Sequence, residues 1–300
     1  LYLAIIIQKR YLHNSTKRIK MRKSIDEKVQ IFTKDLEDVK RLRSVPKFCR
    51  IELKKLTKKY TLATTRHYLT SYRKAIKNMV GMDEKRQKLI LESLKLTKEQ
   101  NKQIDDSVQV GVVSRNSNLK PINNPKKMIA MAVGLLNESS YYKRTLGLAL
   151  LTGRRCGEIL KTAKFTAHKG RKYEVNFFGQ LKRHNDDGSG YMIPILAESK
   201  LIRSTLKGLR KDKDFSKLTI SQINSKTSKD LGAYCKKIFA EFLGDDVNPH
   251  SLRKAYSTIA IRKFCPPYIS PNKYTSSILG HNEDDLNTAN SYNKYYIEDF

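Results

Sequence analysis

The sequence predicts a mainly helical fold with one small β-hairpin, an α+β chain built as two domains. Three observations carry that expectation. Apolar residues recur at helical spacing from residue 25 onward, no strand pattern occurs before residue 110, and one pair of alternating segments between residues 173 and 195 reads as a hairpin. The polar, proline-punctuated stretch Ser114-Arg-Asn-Ser-Asn-Leu-Lys-Pro-Ile-Asn-Asn-Pro125 lacks apolar periodicity and is expected to link the two domains. The expected division is 21–118 for a basic helical domain and 119–300 for the second domain, with residues 1–20 a possible upstream segment.

In chain order, Ser24-Ile-Asp-Glu27 is a capping box that starts a helix. Ile25, Val29, Phe32, Leu36 and Val39 then follow as one apolar stripe. A second helix is expected over about residues 63–80, with Tyr68, Tyr72, Ile76 and Met79 on one face and Arg66, Arg73, Lys74 and Lys77 around the rest. A third is expected over roughly 84–97. Beyond the linker, one helix starts at Lys126 and another runs through Leu146-Gly-Leu-Ala-Leu-Leu151. Tyr173-Glu-Val-Asn-Phe-Phe178 and Tyr191-Met-Ile-Pro-Ile195 form the hairpin, with Asp187-Gly188 and Gly190 supplying its turn. Helices resume near 197–210 and 229–243. Asn248 then caps a further helix that has Pro249 at its first position.

The chain holds 60 Lys+Arg against 29 Asp+Glu, a net charge of +31. The first 120 residues carry 30 basic and 12 acidic side chains and the remaining 180 carry 30 and 17, so neither half is a neutral carrier for a basic tail. A folded chain of this charge repels itself unless a polyanion neutralises it, which makes nucleic acid the first partner to test. A lysine-rich composition inherited from an AT-rich genome gives the same balance. Cys49, Cys156, Cys235 and Cys265 form no CxxC pair and no Cys/His cluster at zinc spacing. Scattered single cysteines fit a reducing, cytoplasmic compartment. The run Leu1–Ile7 is apolar for too few residues to span a bilayer, and no cleavage site follows it. Met21 is a candidate natural initiator, which would make residues 1–20 upstream sequence.

Five short features fall in order in the second domain. They are Leu151-Thr-Gly-Arg-Arg-Cys-Gly-Glu-Ile159, Lys182 in Phe177-Phe-Gly-Gln-Leu-Lys-Arg183, His250-Ser-Leu-Arg253, Leu279-Gly-His281, and Tyr292 in Ser291-Tyr-Asn-Lys-Tyr-Tyr-Ile297. His250 and Arg253 are three apart at a helix start and share a face. Each feature alone is more often a packing or capping element than a catalytic one. Asp186-Asp187, Asp245-Asp246 and Asp284-Asp285 sit in expected turns or caps, where solvated carboxylates are ordinary, so no metal site is expected there. His13, His67, His168 and His184 show no partner pattern; a local role for His184 beside Lys182 stays open.

Taken together and in this order, the five features resemble the Arg–Lys–His–Arg–His–Tyr set of the tyrosine recombinases, over about residues 119–300. Within that superfamily they are most similar to the telomere resolvases, or protelomerases, which cut replicated telomere junctions and seal the ends as hairpins. Arg154 stands directly after the glycine where integrases usually carry an apolar residue, and the Gly179-Gln-Leu-Lys182 segment looks like that of the resolvases. The interval from His281 to Tyr292 is two residues longer than is usual in integrases. The family continues beyond its tyrosine with a further DNA-binding segment where this chain stops, which implies either a compact member or a missing C-terminal part.

The resemblance implies roles residue by residue. Tyr292 would attack the scissile phosphorus; Tyr295 and Tyr296 are the alternatives. A tyrosine phenol, with an ordinary pKa of about 10, needs a positive field and a nearby base to react at neutral pH. Arg155, three residues before Glu158, and Arg253 would clamp the phosphate and stabilise its transition-state charge. Lys182 would protonate the departing 5′ oxygen, and His250 and His281 would orient the phosphate and move protons. Arg154 and Arg183, beside the reacting set, and Arg66, Arg73, Lys74 and Lys77 of the first domain would contact the DNA backbone. Cleavage would leave a 3′-phosphotyrosine that conserves the phosphodiester energy, so neither ATP nor a metal cofactor is implied. The expected partner is duplex DNA with an inverted-repeat target, bound by two copies of the chain. The alternatives are a conventional site-specific recombinase or integrase, and a non-catalytic DNA-binding protein of the same fold.

Overall fold

The computed structural model describes residues 25–181, 188–281 and 289–298. Contacts divide the chain into two units, one up to Gln109 and one from Val110. The expected cap at Ser24 lies outside the described residues, but the stripe behind it forms α1 (Ile25–Glu37), which buries Phe32 and Leu36. Next come α2 (Val45–Lys59), α3 (Leu62–Lys77), α4 (Glu84–Ser93) and α5 (Lys98–Ser117). The rings of Phe32 and Tyr72 stack 4.4 Å apart at the centre of this unit, against Cys49, Ile76, Ile90 and Leu94. Arg86 on α4 donates to the carbonyls of Leu36 and Val39, satisfying the C-terminal end of α1 with a cation.

The second unit is organised around α7 (Tyr141–Thr152), which is buried without a break from Arg144 to Thr152. It is surrounded by α6 (Pro125–Leu135), α8 (Ser199–Asp212), α9 (Ile220–Leu243) and α10 (Pro249–Phe264). A helix buried on all faces explains why its sequence reads as a continuous apolar run rather than a stripe. The expected hairpin is present as β3 (Arg171–Phe178) and β4 (Tyr191–Pro194), antiparallel, with Val175 opposite Ile193 and Phe177 opposite Tyr191. A third strand, β2 (Lys164–His168), pairs with the other edge of β3. It buries only Phe165, so its alternation is too weak to read from sequence.

The expected linker is more ordered than its composition suggested. Ser114 to Ser117 complete α5, and β1 (Lys120–Pro121) pairs in parallel with β5 (Tyr295–Tyr296). This pairing ties the start of the second unit to the segment just after Tyr292. Asp246 reinforces it by accepting from both Lys120 (2.9 Å) and Lys294 (3.0 Å), and those two hydrogen bonds hold its carboxyl at about 2. Four helices depart from expectation. α2 and the long α5 were not singled out, and neither was α11 (Pro271–Leu279), which is capped by Ser270. α9 begins at Ile220 rather than near 229, from a capping box between Thr219 and Gln222. No helix among the described residues is long and apolar enough to cross a membrane.

Candidate active site

The site is assembled where the ends of four elements converge. The first is the C-terminus of α7. Gly153 there has φ +67°, and a Cβ on it would run into the Tyr256 ring, so the turn accepts only glycine. Two arginines follow, and they diverge. Arg155 turns back onto Glu158, the first residue of a short π-helical turn (Glu158–Thr162). Its backbone N–H donates to Oε2 at 2.9 Å and its Nη1 to Oε1 at 2.6 Å. Nη1 also donates to the carbonyl of Leu181 at 3.1 Å, and the N–H of Leu181 reaches Glu158 Oε1 at 3.1 Å. The segment leading to Lys182 is therefore fastened on both sides to this pair. Lys182 and Arg183 themselves lie outside the described residues.

Arg154 goes inward and is 1% exposed. Its Nε donates to the Thr152 carbonyl (3.1 Å), Nη1 to the Tyr191 hydroxyl (2.6 Å) and Nη2 to the Ile278 carbonyl (2.6 Å), while its Cζ lies 4.5 Å from the Phe177 ring centroid. Arg154 was expected to contact DNA; here each of its nitrogens has a protein partner, and the side chain joins the end of α7, the hairpin and the end of α11.

The second end is the start of α10. Asn248 accepts from the N–H groups of His250 and Ser251, and Ser251 completes the capping box, as Asn248-Pro249 foretold. His250 stays exposed on the first turn, while Arg253, one turn on, is 1% exposed. Arg253 donates from Nη1 to the Gly153 carbonyl, from Nη2 to the Leu279 carbonyl (2.9 Å) and from Nε to the Tyr292 hydroxyl (3.2 Å). Each Nη carries two protons, so one apiece is left for a ligand. Glu158 is fully buried among these cations. Burial pushes its carboxyl up, but Arg253, Arg154 and Arg155 together outweigh that and hold it below its ordinary value. Three guanidiniums against one carboxylate leave two net positive charges at the centre.

The third end is the C-terminus of α11, where Gly280 (φ +66°) closes the helix and His281 follows. The fourth is the turn ahead of β5, where Tyr292, 5% exposed, has its ring among the others. Its centroid is 4.9 Å from that of His281 and 5.6 Å from that of His250, and Arg253 Cζ is 5.6 Å away. Five of the six expected catalytic residues thus fall together. Arg155, Leu181, His250 and Arg253 line one cleft of about 450 Å³. Tyr295 is buried in β5 with its carbonyl accepting from Thr258, and Tyr296 donates to Glu298. Neither reaches the arginines by any contact described.

In the first unit, Arg66, Arg73, Lys74 and Lys77 all lie on α3. Lys74 and Lys77 are exposed, Arg73 is half-buried, and Arg66 is paired with Asp105 at 3.0 Å. Two residues of the second unit escaped the sequence reading as participants: Gln180 and Tyr191. Gln180 donates to the Gly280 carbonyl at 2.6 Å and accepts from the Tyr191 hydroxyl. Their signal was present in the Gly-Gln-Leu-Lys segment and in the first residue of the second hairpin strand. A neutral amide and a strand tyrosine declare no role until the turn they meet is known.

With this geometry in hand, the chain can be set beside known proteins. The sequence profile of the telomere resolvase ResT/TelK catalytic domain matches residues 118–295. Telomere resolvase ResT of Borreliella burgdorferi is 25% identical over 165 residues, which are 55% of this chain and 36% of that protein. The protelomerase of Escherichia phage N15 is 28% identical over 200 residues, 60% of this chain and 30% of that one. The chain therefore spans about a third of the length of these curated relatives. Among solved structures, protelomerase TelA covalently complexed with substrate DNA superposes with a TM-score of 0.82 at 23% identity, covering 98% of this chain and 94% of that one. Protelomerase TelK complexed with substrate DNA gives 0.58 at 20% identity, over 87% and 59% of the two chains. At these identities the likeness establishes the fold: mainly helical, with a small sheet in the catalytic part.

Proposed function

Since the chain belongs to the telomere resolvase ResT/TelK catalytic-domain family, matched over residues 118–295, we propose that it breaks and rejoins DNA through Tyr292 and seals the cut ends as hairpins. The observation that carries this reading is the Tyr292 hydroxyl held 3.2 Å from Arg253 Nε, with the His250 and His281 ring centroids 5.6 and 4.9 Å from that of the tyrosine. A phenol in that place needs to lose its proton and meet a phosphorus whose oxygens are already bound. The histidines are within reach of the first task. The remaining N–H groups of Arg155 and Arg253 are suited to the second, because planar guanidiniums bind phosphate oxygens in pairs.

The step balances as a transesterification. Tyr292 Oη forms a bond to phosphorus as the bond from phosphorus to the 5′ oxygen breaks. That oxygen takes a proton, for which Lys182 is the proposed donor, leaving a 3′-phosphotyrosine and a 5′ hydroxyl. A 5′ hydroxyl from the opposite strand then attacks the phosphotyrosine, returning the tyrosine its proton and closing a hairpin. One phosphodiester is exchanged for another at each stage, so no external energy source enters. The net two positive charges around Glu158 match the charge that accumulates on a five-coordinate phosphorus. The proposed substrate is a duplex with an inverted repeat, bound by two copies of the chain because a pair of hairpins needs one cut in each strand. The basic helix α3 supports a backbone grip by the first unit, through Arg73, Lys74 and Lys77.

The test is to incubate the protein without metal on a palindromic duplex flanked by arms of unequal length and run the products on a denaturing gel. Two closed ends are expected, each migrating as a single strand twice the length of its own arm. Recombinant joints would support strand exchange between two sites instead, and intact strands would support a DNA-binding protein without chemistry. Tyr292→Phe is expected to abolish the covalent protein–DNA adduct while DNA binding persists.

A further inference from the structure

Three successive carbonyls at the end of α11 accept from three different side chains. Ile278 takes Arg154 Nη2 (2.6 Å), Leu279 takes Arg253 Nη2 (2.9 Å) and Gly280 takes Gln180 Nε2 (2.6 Å). The first two donors are guanidiniums with several other bonds. The third is a neutral amide on the loop leaving β3, and it holds the carbonyl of the peptide whose nitrogen belongs to His281. The other face of that peptide is held as well, since the His281 N–H donates to the Ser276 carbonyl at 2.9 Å. The plane from which the His281 ring projects toward Tyr292 is thus fixed at both its polar ends.

The amide that fixes it cannot turn around. Tyr191 Oη accepts from Arg154 Nη1 (2.6 Å), so its single proton goes to Gln180 Oε1, which leaves Nε2 facing Gly280. Packing closes the arrangement, because a Cβ on Gly280 would overlap both Gln180 Oε1 and Tyr191 Oη. We propose that Gln180, oriented by Tyr191, is a positioning residue for the reaction: it sets the Gly280–His281 peptide and thereby holds the His281 ring against Tyr292. This rests on the reading of His281 and Tyr292 as reacting groups, and it adds two residues of the hairpin to the machinery.

A double-mutant cycle tests it in single-turnover cleavage of the palindromic duplex at saturating protein. Gln180→Ala and Tyr191→Phe are each expected to slow cleavage by about tenfold or more, as a small misplacement does, with DNA affinity unchanged. Combined with His281→Ala, Gln180→Ala should cost little further, because the group it positions is gone. An equal fold-loss in both backgrounds would overturn the proposal. A second measurement stands apart from cleavage: the His281 ring-proton resonance is displaced by the adjacent Tyr292 ring, a displacement calibrated by Tyr292→Leu. In Gln180→Ala it should move toward the Tyr292→Leu position. If it stays where the wild-type signal lies, Gln180 does not hold that ring, whether or not the protein cleaves DNA.

Discussion

Glu158 is the residue on which the charge balance of the site turns. It is the only carboxylate among three guanidiniums described there, and its two oxygens fix Arg155 and the approach to Lys182. Replacing it by Gln leaves three cations, two of them buried, without a counter-charge and turns an N–H donor toward Arg155. Glu158→Gln is expected to lower unfolding free energy by about 3 kcal/mol, measured by the denaturant midpoint. The pH dependence has a definite sign. A carboxyl held below its ordinary 4.5 contributes stability that is fully present above that value and is lost as pH falls through the lower folded-state value. The wild-type advantage over the Gln variant should therefore be constant near neutrality and shrink below about pH 4.5. The sequence singled out Arg155 by its place three residues before Glu158, but as a phosphate clamp, not as that carboxylate's partner. The fate of Arg154 was not legible. Two adjacent arginines look alike on paper, and only the turn at Gly153 decides which one faces the core.

At the level of elements, the site depends on helix ends rather than helix faces. Gly153 ends α7, Gly280 ends α11, Asn248 starts α10, and the carbonyls and N–H groups left over at those ends are what the reacting side chains bind. Gly153→Ala is expected to destabilise the second unit by about 2 kcal/mol or more, since it combines a left-handed backbone with an overlap on the Tyr256 ring. Thermal unfolding of the variant reads that loss directly. Elements with strong local signals were legible: the α3 stripe, the β3–β4 hairpin and the capped start of α10 all stand where the residues indicated. Of those that were missed, α9 and α11 carry start signals that were passed over, the Thr219–Gln222 capping box and Ser270-Pro271, while the short strands carry none. β2 buries one aromatic ring, the first turns of α9 are rich in Ser, Asn and Lys, and the two-residue strands β1 and β5 exist only because each finds the other. Short pairings of that kind are set by tertiary contact and leave no period in the sequence.

For the whole molecule, the proposed function divides the charge of +31 into a few side chains that would meet one phosphate and many that would grip a backbone. Removing an exposed cation from α3, as in Lys74→Gln or Lys77→Gln, is expected to reduce the salt slope of DNA binding by about 0.9 per lost phosphate contact. Cleavage at saturation should be unchanged. Arg66→Gln should do less, because Asp105 already holds that guanidinium. The central claim, however, is that Tyr292 becomes covalently bound to DNA. Trapping the adduct on a nicked or mismatched palindrome, digesting it with trypsin and sequencing the nucleotide-bearing peptide by mass spectrometry tests that claim most directly. Cleavage after Lys273 and Lys294 separates Tyr292 from Tyr295 and Tyr296, which fall in the next fragment. The account predicts the phosphonucleotide on Tyr292 within the peptide Tyr274–Lys294; its recovery on the fragment that begins at Tyr295 would contradict it.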